Sequence, residues 1–98
     1  MDETTFLAAA DKALEALQDA LEAEYDDLDC TRSGNVLTIE LESGAQVVVN
    51  IQTPMREIWL ASHFGGLHFE MRPEGWIDPK TGGTLLAAAE SAVARLRG

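Results

Sequence analysis

Oxygen donors dominate what this chain offers chemistry. Asp11, Glu15, Asp19 and Glu22 are followed by Glu24, Asp26, Asp27 and Asp29, and Lys12 is the only base between Met1 and Cys30. Carboxylate oxygens are hard ligands that suit Fe²⁺, Fe³⁺, Mn²⁺ or Ca²⁺. At about 100° per residue, Asp11, Glu15, Asp19 and Glu22 group on one side of a helix. A convex helix face cannot wrap an ion, so the expected site is shallow, water-filled and weak. In bulk water a carboxylate gains only ~1 kcal/mol from a unit charge at about 4 Å, so several acids and a multiply charged ion must act together. Salt should weaken such binding. The same acids would attract a basic surface on a protein partner. The plainer reading is a solvated helix face that keeps the chain soluble.

The acids are placed against local preference. Like charges at (i, i+4), as in Asp11/Glu15 and Glu15/Asp19, cost roughly 0.2–0.5 kcal/mol each. Acids in a last turn also meet the negative end of the helix dipole, a further ~0.3–1 kcal/mol at low salt. A local rule broken repeatedly in one place points to a site.

A second constellation runs from Asn50 to Phe69. As strand, turn, strand, it sorts its side chains by parity. Ile58 and Leu60 share one face, while Glu57, Trp59, Ala61 and His63 share the other. After a turn at Gly65-Gly66, Leu67, Phe69 and Met71 alternate with His68, Glu70 and Arg72. Trp59 is a large indole on an otherwise polar face shared with Asn50 and Gln52, which marks a contact surface. Trp76 reads as structural, packed where the sheet meets the final helix. His63 and His68 read as ordinary surface imidazoles. Cys30 with a histidine would suit a softer metal or haem, but no CxxC or HxxH spacing accompanies it. No nucleophile–base–orienter set is evident, so no catalytic residue is expected.

The elements that carry these groups follow from periodicity. Thr4 or Thr5 is expected to cap a first helix that buries Phe6, Ala10, Leu14, Leu17 and Leu21. Short strands are expected at Leu28–Arg32, Asn35–Glu42 and Ala45–Gln52, then the pair just described and a segment around Trp76-Ile77-Asp78. Thr84 caps a last helix with Leu85, Ala89, Ala92, Val93 and Leu96 on one face and Arg95 and Arg97 at its favourable end. The order implies an α+β two-layer sandwich, a single domain over residues 1–98. Both helices should pack on one face of a five- or six-stranded antiparallel sheet.

Totals narrow the function. Seventeen Asp and Glu against seven Lys and Arg give a formal net charge of −10, a field that repels nucleic acid and anionic lipid. One cysteine allows no internal disulfide and fits a reducing compartment. No targeting segment or membrane-spanning run is visible, so a cytoplasmic protein is expected.

The helix–meander–helix order, the acidic first helix and strand, and above all Asn50-x-Gln52-Thr53-Pro54-x-x-x-Ile58-Trp59-Leu60-Ala61-Ser62 with Gly65-Gly66-x-His68-Phe69 resemble the frataxin family, its bacterial branch in particular. Gly34-Asn35-Val36-Leu37-Thr38-Ile39 and Trp76-Ile77 agree with it. The resemblance covers nearly the whole chain. It implies a small acidic protein that binds iron weakly on the first helix and the edge of the first strand. It also implies docking on the cysteine desulfurase of the iron–sulfur assembly machinery, near its scaffold protein. Positions matching the acidic ridge are Asp11, Asp19, Glu22, Asp27 and Asp29, with Glu15 and Asp26 beside them. Positions matching the partner-contacting face are Asn50, Gln52 and Trp59, and Asp19 and Glu22 share in docking. Gln18 and Ala23 stand where relatives often carry acids, and the helix-to-strand linker is about two residues shorter, which implies fewer iron sites. The reading is a monomeric, non-catalytic adaptor of cluster assembly. Two rivals use the same carboxylates, a ferroxidase and an iron store that self-assembles under iron loading.

Overall fold

The structure, a computed structural model, describes residues 1–98. Helix α1 (Glu3–Glu24) leads into a meander of β1 (Asp29–Ser33), β2 (Val36–Glu40), β3 (Gln46–Gln52), β4 (Glu57–Ser62), β5 (Gly65–Arg72) and β6 (Gly75–Ile77). Helix α2 (Leu85–Arg97) closes the chain. The six strands lie in sequence order in one sheet, each antiparallel to the next. The two-layer sandwich expected from the sequence is the fold found, with the strand number settled at six.

Helix α1 forms where its apolar stripe predicts, but its cap lies earlier than Thr4 or Thr5. Asp2 is extended (φ −80°, ψ 170°), and its Oδ1 accepts the Thr5 N–H at 2.7 Å. That hydrogen bond holds the Asp2 carboxyl below the usual carboxylate range. A negative cap satisfies an orphan N–H and also meets the positive end of the dipole, which a threonine hydroxyl does not. Thr84 caps α2 as expected, accepting the Ala87 N–H at 3.1 Å.

The core is the layer between helices and sheet. Phe6, Ala10, Leu14, Leu17 and Leu21 of α1 meet Leu37, Ile39, Val47, Val49, Ile58, Leu60 and Phe69 of the sheet, together with Leu85, Ala89 and Val93 of α2. Each large side chain withdrawn from water contributes roughly 1.5–3 kcal/mol. The opposite face of the sheet has no helix on it. Trp76 lies on the covered side, but its ring meets Phe6 of α1 edge-on (centroids 5.8 Å apart, 70°). With Leu17 and Leu85 it lines the groove between the two helices, so it joins both rather than packing on the last one alone.

The bounds of three strands move inward or shift by one or two residues, β2 to Val36–Glu40. Leu28 stays outside β1 and Ser33 joins it. Leu41 leaves β2 because it closes the turn, with its N–H on Ala45 O (2.8 Å) and its carbonyl taking Gly44 N–H (2.9 Å). Strand β3 begins at Gln46 rather than Ala45. The β4–β5 loop is also displaced. Ser62 pairs with Gly65 and Ala61 with Gly66, so the two-residue loop is His63-Phe64 and not Gly65-Gly66. Ser62 Oγ accepts the Phe64 N–H (3.2 Å), and the Arg95 guanidinium lies 3.7 Å above the Phe64 ring, which anchors the loop there. Gly65 then takes φ +116°, open to glycine alone at little cost.

The last turn of α1 comes near the middle of α2 at Glu24 and Glu90. A hydrogen bond shared with Glu24 of α1 raises the pKa of Glu90 on α2, with burial and repulsion by Glu24 adding to it. A carboxyl raised in this way stabilises the fold only below its unfolded value and loses that contribution as pH rises through its folded one. Glu90→Gln should therefore raise the thermal midpoint at pH 7 and have progressively less effect as the pH falls and the Glu90 carboxyl takes up its proton. Melting curves across that range check the sign.

Candidate functional site

The acidic residues of α1 and β1 are brought to one edge but not to one point. Asp11, Glu15, Asp19 and Glu22 are exposed along α1, Asp26 is exposed in the linker, and Asp29 is exposed at the start of β1. Glu22 and Asp29 both act on Cys30, which puts the last turn of α1 beside β1. No three Asp, Glu, His or Cys side chains converge as a ready cation cage. Oxygen donors spread over a convex edge fit a loosely held, largely hydrated hard ion.

Two of the seven carboxylates have partners that the sequence did not suggest. Arg32 of β1 donates from Nη2 to Asp11 Oδ1 at 2.7 Å and from Nε to Gly34 O at 2.8 Å. Arg97, at the end of α2, binds both carboxylate oxygens of Asp27 and lies 4.8 Å above the Tyr25 ring. This hydrogen-bonded pair holds the Asp27 carboxyl below the usual range and raises Arg97. Glu15, Asp19, Glu22, Asp26 and Asp29 have no salt bridge. Gln18 Nε2 donates to Glu22 Oε2 at 3.2 Å, so this amide steadies one of the ridge carboxylates. The last turn of α1 carries no base.

Cys30 packs against the core. Burial, then the charges of Glu22 and Asp29, push its thiol up, which keeps it protonated at neutral pH. A thiol ligates soft metals as the thiolate, so this environment works against the haem or soft-metal use of Cys30.

The open face of the sheet is more ordered than its residue types suggested. Register sets Asn50 opposite Trp59 and Trp59 opposite His68, with Gln52, Glu57 and Glu70 in the adjacent row. Gln52 Nε2 donates to Asn50 Oδ1 at 2.9 Å. Trp59 Nε1 donates to Glu57 Oε1 at 2.8 Å, and the His68 imidazole stacks on the indole (4.3 Å between centroids, 7° between planes). His68 is thus not the isolated imidazole expected, and His63 belongs to the loop, not to this face. The cross-strand register would have found this pair, had the loop been placed at His63-Phe64.

Comparison with known proteins agrees with this architecture. The Frataxin-like domain model matches residues 1–96. The chain is 46% identical over 86 residues to the iron-sulfur cluster assembly protein CyaY of Vibrio cholerae, covering 88% of this chain and 83% of that protein. It is 39% identical over 102 residues to the protein of the same name from Cupriavidus taiwanensis, covering 100% and 92%. Among solved structures, the frataxin of Psychromonas ingrahamii superposes with a TM-score of 0.91 at 27% identity, over 98% of this chain and 91% of that one. Trimeric yeast frataxin complexed with ferrous iron gives 0.74 at 29% identity, over 89% and 83%. With its acidic first helix, its bare sheet face and near-complete coverage by these relatives, this chain belongs to the frataxin-like family.

Proposed function

We propose that this chain serves iron–sulfur cluster assembly as a non-catalytic adaptor. It holds iron loosely along α1 and β1 and docks on a cysteine desulfurase, near the scaffold protein, through the acidic edge and the open sheet face. The observation that carries this reading is the unneutralised set Glu15, Asp19, Glu22, Asp26 and Asp29, kept at one edge while Arg32 and Arg97 are spent on Asp11 and Asp27. Iron is the cargo of such an adaptor, since a shallow oxygen-donor edge suits an ion that must be handed on. The same edge offers a basic partner a field that speeds encounter. Trp59, with Asn50 and Gln52, supplies the flat amphipathic patch that interface hot spots favour. The trimeric yeast relative motivates a second reading, iron storage by self-assembly. Light scattering during iron loading separates the two, because an adaptor keeps its size.

Two variants test the adaptor reading, with amide NMR during titration by Fe²⁺ and then by purified desulfurase as the readout. Replacing Asp19 and Glu22 together by Lys should weaken iron and desulfurase binding alike. It should also raise the thermal midpoint, because each like-charge pair relieved is worth about 0.2–0.5 kcal/mol. Unchanged affinity for both ligands would remove the edge from the function. Trp59→Ala should leave the fold intact and cost ~2 kcal/mol or more in desulfurase affinity, as expected of a central aromatic contact. Equal affinity by calorimetry would confine docking to the acidic edge.

A further inference from the structure

The open face holds a second set of donors, chemically different from the acidic edge. His68 Nδ1 and Glu57 Oε1 stand 3.6 Å apart, too far for a hydrogen bond between them. Two ligands of one divalent ion, each about 2.1 Å from it, are themselves about 3.4 Å apart in a tetrahedral site and about 3.0 Å apart at right angles. Closing this gap around an ion therefore takes a movement well under one ångström. Both groups are already held in place. The Glu57 side chain is only 16% exposed, and its Oε1 receives the Trp59 indole N–H at 2.8 Å. The His68 ring lies flat on the same indole. Support of this kind orients a metal ligand and keeps its lone pair directed. The adjoining cleft, about 290 Å³, is bordered by Glu57, His68 and the buried Asp78, and leaves room for water on the remaining coordination positions.

We propose that His68 and Glu57 form a divalent transition-cation site on the open face, made of one imidazole nitrogen and one carboxylate oxygen and completed by water. Imidazole nitrogen suits Zn²⁺, Ni²⁺ and Cu²⁺ and has little attraction for Mg²⁺ or Ca²⁺. The acidic edge of α1 and β1, built from oxygen alone, has the opposite bias. The two sites are thus separable by choice of ion, and this one does not depend on desulfurase docking. An ion bound here would place positive charge beside Trp59.

The test is a titration of the ¹⁵N-labelled full chain with Ni²⁺ in a large excess of Mg²⁺, which occupies the hard-oxygen positions. The Trp59 indole N–H and the amides of Glu57, Trp59 and His68 should lose intensity saturably through paramagnetic broadening. His68→Gln and Glu57→Gln should each raise the Ni²⁺ concentration for half-loss at least tenfold. Glutamine at position 57 keeps an acceptor for the indole, so an unchanged metal-free indole shift certifies that the face is intact. His63→Gln should have no effect. The proposal is overturned if the Trp59 indole is untouched by excess Ni²⁺, if only α1 and β1 amides respond, or if the response survives both substitutions or vanishes with His63→Gln.

Discussion

Only one side of the six-stranded sheet is covered, and the remaining features follow from that asymmetry. Two amphipathic helices supply enough hydrocarbon to seal Leu37, Ile39, Val47, Val49, Ile58, Leu60 and Phe69 from water, and no third helix is left to cover the reverse face. Strand parity then sends Asn50, Gln52, Glu57, Trp59, His68 and Glu70 to the reverse side. The polar face of α1 is turned outward by the same burial. Hydrophobic burial of this extent can carry the small penalties of crowding like charges on one helix. The acidic edge and the aromatic patch are thus two results of one packing solution.

Charge is distributed less uniformly than the net value of −10 implies. Arg32 and Arg97 reach their partners across the fold and tie β1 to α1 and the end of α2 to the linker. Each neutralises one acid of the ridge, Asp11 at its start or Asp27 near its finish. The middle, from Glu15 to Asp26, is left without a base, so the negative potential concentrates near the C-terminal half of α1. Helix geometry adds its own negative end at the same place.

Most of the fold was legible because its information is periodic. The stripe Phe6–Ala10–Leu14–Leu17–Leu21 and the alternation through Ile58-Trp59-Leu60 each specify which face is buried, and all of those assignments hold. The loop between β4 and β5 was misread because Gly65-Gly66 is the stronger turn signal, whereas Ser62 and the Arg95–Phe64 contact fix the loop two residues earlier. With the loop at Gly65-Gly66, Trp59 would oppose Arg72. That slip is even, so every side chain keeps its face while its neighbour changes. The hydrophobic core was therefore right, and the Trp59–His68 stack was missed. The Asp11–Arg32 and Asp27–Arg97 pairs were hidden for another reason, since they join residues 21 and 70 positions apart and no local pattern encodes them.

The two edges of the sheet are finished differently. Strand β6 is followed by a loop that folds back, with Ile77 bridged to Thr84 and the Asp78 N–H on Gly83 O at 2.9 Å. Strand β1 is the outermost strand at the other end, with neither a strand nor a returning loop paired to it. Such a border is a template on which another chain can add a strand, and charge is one of the ways proteins discourage it. Here the deterrent is the carboxylate-rich margin itself. Counterions that screen or bridge those carboxylates weaken the deterrent, so dissolved ions act on the one border of the sheet where a strand could be added.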